Sequence, residues 1–266
     1  MARALAIVLA LLTGITIFLF AARIWWMPPV SSVAGLSIDR EFVAALLVLG
    51  IVFLAAQLAL AIFIWKFRTG SRVEHSTGNR GAEIAWTLIT AAVFITLALS
   101  AEHTWAELRR PPLPTNSDVE VEVTGTQFVW YFRYPGPDGK FGRTNTKDID
   151  PTLGSAAALG VDRMDPDGKD DFVSSALVVP VGREVRLRLR AQDVIHSFFV
   201  PELRLKQDAV PGLNVEAHFR ATRTGEYEIV CAELCGLGHY RMRGALKVVA
   251  AAEYSAWLAQ HQGAAR

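Results

Sequence analysis

The sequence predicts a membrane α-helical hairpin of two or three transmembrane helices joined to an all-β domain. Three observations carry this reading. Nearly all long uncharged runs lie before residue 102, a Pro-rich stretch follows them, and beyond it the apolar period changes from helical to alternating. The 266 residues are 52% hydrophobic and 20% charged, with a mean hydropathy of +0.27. That apolar excess excludes a disordered chain and is high for a soluble one. Lys and Arg number 27 against 26 Asp and Glu, a formal charge of +1. No basic field therefore argues for a nucleic-acid partner. Two cysteines are too few for a disulfide framework, so Cys231 and Cys235 need another explanation.

The anchor comes first, over residues 1–108. Ala4 to Ala22 carries no charge, Phe42 to Trp65 holds only Gln57 as a strongly polar side chain, and Ile84 to Ala101 is uncharged. A bilayer span needs about 20 apolar residues, which predicts helices over about 4–26, 42–65 and 84–105. Trp86 and Trp105 suit interface positions on the third. The first run has two readings, a retained helix and a cleaved signal peptide. Arg3 suits the second, but the run exceeds the roughly 7–15 residues of a signal-peptide core. Arg23-Ile24-Trp25-Trp26 also follows where small residues should mark cleavage. The loop 66–83 carries Lys66, Arg68, Arg72 and Arg80, whereas Met27 to Glu41 carries only Arg40. The positive-inside rule puts that loop in the cytoplasm and the C-terminal part outside. The expectation is a multi-pass protein of a bacterial-type inner membrane, its β domain in the periplasm.

A Pro-rich linker at 109–117 leads into the outer domain, residues 118–266. Val119, Val121 and Val123 alternate with Glu120 and Glu122, and Val185, Leu187 and Leu189 alternate with arginines. Further strands are predicted over 197–200, 215–221, 226–230 and 244–249. Period-2 segments between Gly and Pro turns predict an antiparallel sandwich or barrel. The last stretch, AAEYSAWLAQHQ, predicts a short surface helix packing Tyr254, Trp257 and Leu258. Residues 140–176 break the rhythm with seven Asp from Asp148 to Asp171. The ligand spacing of a calcium loop is incomplete there, and an exposed acidic insertion is expected. It suits a basic partner face, either an accessory subunit or a cytochrome.

The string CAELCGLGHYRM places Cys231, Glu233, Cys235, His239 and Met242 within twelve residues, and His196 sits upstream in DVIHSFFVP. Two thiolates, two imidazoles and a thioether are a soft ligand set that favours copper, with zinc as the competitor. Zinc gains nothing from a thioether. A single blue-copper site takes one Cys, and here there are two, four residues apart, which suits two coppers bridged by both sulfurs. Taken singly, each residue has a plainer reading: a Cys231–Cys235 disulfide, a core histidine at His196, core filling by Met242.

These strings resemble subunit II of the haem–copper cytochrome c oxidases. DVIHSFFVPELRLKQDAVPG resembles the family's first-ligand strand and the turn after it, and GEYEIVCAELCGLGHYRM resembles its copper loop. The resemblance implies a cupredoxin-like Greek-key domain holding a dinuclear CuA centre. His196 and His239 would be its imidazole ligands, Cys231 and Cys235 its bridging thiolates, and Met242 its axial thioether. Glu233 would give its backbone carbonyl to copper and its side chain to a Mg or Mn ion shared with subunit I. In EIAWT, Glu83 matches an acid near the cytoplasmic mouth of a proton path; a helix-capping interfacial charge is the alternative. The implied function is electron transfer from cytochrome c, or from a fixed donor complex, to haem in subunit I, where oxygen is reduced to water.

Two departures stand out. The family's electron-accepting Trp is replaced by Phe128, leaving Trp130, Tyr131 and Tyr134 as other points of electron input. Arg133 stands where the family has an acid that attracts a basic cytochrome, and Arg243 stands where Pro commonly follows the axial Met. A shell of Phe198, Phe199 and Leu234 is expected around the metal. Rival readings are a membrane-anchored copper-binding or delivery protein and the CuA subunit of a nitric oxide reductase. The CuA module of nitrous oxide reductase fits the loop but not the hairpin.

Overall fold

The structure, a computed structural model, describes residues 2–23, 26–67, 78–110, 113, 115 and 118–264. Arg68 and Arg72 of the basic loop lie outside the described residues, as do Ile24, Trp25 and most of the Pro-rich linker. The chain divides into two compact units, Met1–Met27 with Ser37–Arg110, and Pro28–Leu36 with Pro111–Arg266.

The first unit is helical: α1 (Ala2–Ala21), α2 (Val33–Phe67) and α3 (Arg80–Arg109). All three are long and apolar enough to cross a membrane. At 35 residues α2 runs about 52 Å at 1.5 Å per residue, well beyond a hydrocarbon core of about 30 Å. It begins nine residues before the apolar run, and the added turns carry Asp39, Arg40 and Glu41. Periodicity misses these turns because they are polar. Ser100 Oγ of α3 donates to Glu41 Oε1 at 2.6 Å, tying the two helices together. Asn79 caps α3, accepting from the N–H groups of Gly81 and Ala82. Glu83 falls in the first turn of α3.

The second unit is a sandwich of two five-stranded sheets. The strands are β1 (Val119–Thr126), β2 (Val129–Tyr134), β3 (Phe172–Ser174), β4 (Ala176–Pro180), β5 (Glu184–Ala191), β6 (His196–Val200), β7 (Leu205–Ala209), β8 (Val215–Arg220), β9 (Gly225–Cys231) and β10 (Arg243–Val249). One sheet runs β3-β2-β1-β5-β8 and the other β4-β10-β9-β6-β7. Alternation puts Val121, Val123, Leu187 and Leu189 on the inner face, where all four are buried. The sandwich is not wholly antiparallel as expected, since β1 pairs with β5 and β10 with β4 in parallel. Period-2 patterning reports which face a residue takes, whereas strand direction depends on the long crossovers between partners. β3 and β7 escape sequence reading for a different reason. β3 is three residues long, and β7 (LKQDA) is mostly polar.

The loop before α2 belongs to this unit. Ser31 N–H donates to the Glu202 carbonyl at 2.7 Å and Ser32 Oγ to the Leu203 carbonyl at 2.7 Å. A short helix, Ser155–Ala158 (α4), lies in the Asp-rich segment between β2 and β3, and at the C-terminal end α5 (Ala251–Ala264) closes the domain. Trp257 of α5 meets Tyr134 and Phe172 edge-on, at 5.1 and 5.6 Å between ring centroids. Tyr134, named above as a point of electron input, is therefore a core residue, its hydroxyl bonded to the backbone of Val178.

Charge on the outer face of the first sheet is paired in a diagonal ladder: Arg186 with Asp118 at 2.8 Å, Arg188 with Glu120 at 2.7 Å, and Arg190 with Glu122 at 3.2 Å. The Asp-rich segment folds against this face instead of standing free. Asp150 and Asp165 cap short turns, and Asp171 reaches inward to Arg133, which is 1% exposed. Arg133 also contacts Glu122 at 3.3 Å and donates to the Gly142 carbonyl at 2.6 Å. Arg133 is thus a buried anchor for the insertion and no part of a donor-facing surface. Alternation alone did not expose this, because the covering segment is distant in sequence.

Burial pushes the Asp171 carboxyl up from its ordinary value, with the Arg133 guanidinium opposing that shift. Arg133→Met should leave Asp171 as an uncompensated buried charge and lower unfolding stability by about 3–5 kcal/mol. The double variant Arg133→Met with Asp171→Leu should recover most of the loss, since an apolar replacement of a buried pair is often neutral. Urea unfolding of the three chains checks both expectations.

Candidate metal centre

Two distant segments supply the candidate ligands. His196 opens β6, Cys231 ends β9, and Glu233, Cys235, His239 and Met242 lie on the loop between β9 and β10. β6 pairs antiparallel with β9 so that Phe198 faces Cys231, and His196 lies two residues from Phe198 on the same face. The loop is closed at its base by Cys231 N–H donating to the Met242 carbonyl at 3.2 Å. Ala232 N–H donates to the Ser197 carbonyl at 2.9 Å, fixing the loop to β6.

All six predicted ligand residues converge. Cys231 Sγ lies 3.9 Å from His196 Nδ1 and 3.2 Å from the Glu233 carbonyl oxygen. Cys235 Sγ lies 3.6 Å from His239 Nδ1 and 3.8 Å from Met242 Sδ. The two sulfurs are 3.9 Å apart, and both cysteines are free. His196, Cys231 and Cys235 form a metal-competent group with their donor atoms within 4.8 Å of one another. Each thiol therefore has its own imidazole and its own weak outer donor. This soft, paired set fits two copper ions better than one zinc, which would leave the thioether without a role.

His196, both cysteines and Met242 are buried, His239 is half-buried, and the Glu233 side chain is exposed. Burial pushes the Cys235 thiol up to about 11, and the neighbouring Cys231 adds to the shift. A metal binding there must displace that proton. Trp130, 2% exposed, packs edge-on to His196 at 5.9 Å and to Phe198 at 5.8 Å, and Gly125 leaves room for the His196 and Trp130 rings. Leu234 is solvent-exposed and is no part of this shell, and Phe199 lies on the other face of β6. Phe128 is 38% exposed, Tyr131 is half-buried, and the exposed side chains Leu237 and Tyr240 belong to the same ligand loop. Arg243 pairs with Glu228 at 2.6 Å on the surface.

Two contributors escape sequence reading. Asp193 Oδ1 lies 2.8 Å from His196 Nε2, on the ring nitrogen opposite the one facing Cys231. A carboxylate on the far nitrogen orients a ligating imidazole, and an acid three residues before a ligand His was the available signal. Gln127 is the other: its side-chain amide bonds the Cys235 carbonyl, a contact no local pattern reports. Burial acts to raise the Asp193 carboxyl, but hydrogen bonds from His196 and from the Gln127 and Val194 N–H groups outweigh it and hold it below its ordinary value.

Because the folded value is lowered, the stability that Asp193 contributes is complete above the unfolded carboxylate value, about 4. It is lost as pH falls through the lowered folded value. In the metal-free chain, the unfolding free-energy difference between the parent and Asp193→Asn should be level from about pH 7 to 5 and shrink below about pH 4. With metal, Asp193→Ala should weaken binding about 10–100-fold, measured by chelator competition.

Residues 119–249 match the family described as cytochrome c oxidase subunit II, periplasmic domain. Over 267 residues the chain is 34% identical to the alternative cytochrome c oxidase subunit 2 of Bradyrhizobium diazoefficiens, covering 98% of this chain and 92% of that one. It is 33% identical to the cytochrome c oxidase subunit 2 of Cereibacter sphaeroides, over 82% of this chain and 74% of that one. The solved periplasmic domain of cytochrome oxidase subunit II from Bradyrhizobium japonicum aligns at 31% identity with a TM-score of 0.42, over 58% of this chain and 100% of that one. With that identity running through the helices as well as the β domain, this chain belongs to the cytochrome c oxidase subunit II family.

Proposed function

We propose that the chain is the electron-input subunit of its oxidase. It takes electrons from a cytochrome c, or from a donor complex fixed alongside, at a dinuclear CuA centre and passes them towards haem in subunit I for reduction of oxygen to water. The observation that carries this reading is the pairing of donors, with one imidazole and one weak outer donor beside each of two thiols 3.9 Å apart. Two copper ions held there would supply a one-electron carrier whose charge change is spread over both metals and both sulfurs.

The protein's residues divide the remaining work. With copper bound, His196 and His239 would supply Nδ1, Cys231 and Cys235 the two thiolates, and Met242 with the Glu233 carbonyl the weaker donors. Trp130, Phe198 and the buried Met242 exclude water, and the β sandwich holds the donors still. Low reorganisation follows from that rigidity. The exposed Glu233 side chain suits a Mg or Mn ion shared with subunit I. Glu83, in the first turn of α3, suits the cytoplasmic mouth of a proton path, with α1, α2 and α3 crossing a bacterial inner membrane and the β domain in the periplasm. Phe128, rather than the buried Trp130, is the surface residue for the donor to approach.

The full chain, purified in detergent and loaded with copper, should bind two coppers that share one unpaired electron in the paramagnetic resonance spectrum. Cys231→Ser should abolish that shared signal. One copper with a localised spectrum would sink the reading and favour a copper-handling protein. In the assembled oxidase, Phe128→Ala should leave copper content unchanged. As one of the minority of contacts whose truncation costs more than about 1 kcal/mol, Phe128 cut back to Ala should lower donor affinity about fivefold, read as KM in steady-state oxidation of cytochrome c.

A further inference from the structure

The turn between β1 and β2 reaches both ligand-bearing segments. Gln127 Nε2 donates to the Cys235 carbonyl at 2.5 Å, and the Gln127 backbone N–H donates to Asp193 Oδ2 at 2.7 Å. Through its other oxygen, Asp193 holds His196 Nε2 at 2.8 Å. A single residue therefore joins the loop at Cys235 to the strand at His196, two segments far apart in sequence.

The loop is shaped around this contact. Gly236 has a φ of +139°, and a Cβ there would lie 2.8 Å from Gln127 Nε2. A Cβ on Gly238 would overlap the ring of Phe128. Backbone bonds from Cys231 to Met242 and from Ala232 to Ser197 hold the ends of the loop. Gln127 holds its middle, at the residue that carries the second thiol.

We propose that Gln127 is a positioning residue for the metal-binding loop, fixing the Cys235 peptide and hence the direction of its thiol relative to His196. The inference rests on the copper reading for what the site holds, whereas the clamp itself belongs to the chain without metal. A residue whose side-chain amide pins the Cys235 peptide and whose backbone N–H pins Asp193, and through it His196, keeps both ligand segments in one arrangement whether or not an electron is present. Side chains that support ligands in this way set metal affinity and electronic properties without touching the metal.

The test uses the full chain in detergent with Gln127→Met, which keeps the side-chain length and removes the donor. In the metal-free protein, diamide oxidises Cys231 and Cys235 to a disulfide, with two thiols giving up two protons and two electrons to one diamide. A loop released at Cys235 should close the 3.9 Å gap about fivefold faster, the equivalent of one net hydrogen bond. Loaded with copper, the variant should show an altered hyperfine pattern and lose copper to a chelator about tenfold faster, with an urea midpoint close to the parent's. If the Met variant fails to fold, Gln127→Asn, which draws the amide back by one methylene, should move the same readouts in the same direction. Metal-free thiols that oxidise at the parent's rate overturn the proposal whatever the copper content. A parent chain that binds no copper pair overturns the functional reading instead, and the thiol comparison still decides the clamp.

Discussion

The register between β6 and β9 is the constraint on which the metal centre depends. Phe198 faces Cys231 and Phe199 faces Val230 across that pair. A slip of one residue would turn His196 to the opposite face of the sheet and away from the thiols. The register is secured from the core, because Phe198, Val200 and Ile229 are all buried and cannot exchange faces without exposing apolar surface. Ligand placement is thus set by hydrophobic packing of the neighbouring strand positions: Phe198 two residues from His196, and Ile229 two residues from Cys231.

Charge is handled differently on the far side of the sandwich. Most acidic side chains of the 140–176 segment are turned to internal use, as turn caps, as partners of Arg143, or as the buried partner of Arg133. Phe141 lies between the guanidinium groups of Arg133 and Arg188, at 5.4 and 5.2 Å from its ring centroid. A stretch that looks like a free acidic surface in sequence is in large part a lid over a charged sheet face. The basic residue that seems to oppose a cationic donor is sealed beneath it, so Phe128 remains as the surface departure from the family's pattern.

The helical unit obeys simpler physics. In α1, α2 and α3 most side chains are apolar, and the charged exceptions named here sit towards the ends: Arg3 over the Trp65 ring at 5.7 Å, Glu41 bonded to Ser100, and Glu83 in a first turn. End placement leaves charged heads at the interface and apolar stems along the span. The division between the two units falls within α2, after Leu36, and Ser31 and Ser32, just before that helix, bond the Glu202 and Leu203 carbonyls within the β unit.

The kinds of element and the donor set were legible in the amino-acid pattern. Apolar runs long enough to span a bilayer, alternation with a period of two, and the spacing of Cys231, Cys235, His239 and Met242 are local properties, legible without a fold. Helix ends were less so, since the polar turns of α2 carry no periodic signal. Tertiary structure alone decided which strands run parallel, that Leu234 is exposed while Trp130 is buried against His196, and that Arg133 is buried. It also brought Asp193 and Gln127 to the centre: 66 residues separate Asp193 from the N–H it accepts, and 108 separate Gln127 from the Cys235 carbonyl. The physical reason is common to all of them. A pattern along the chain records what a residue does to its near neighbours, whereas burial and hydrogen-bond partners are settled by segments that meet only when two sheets close on one core.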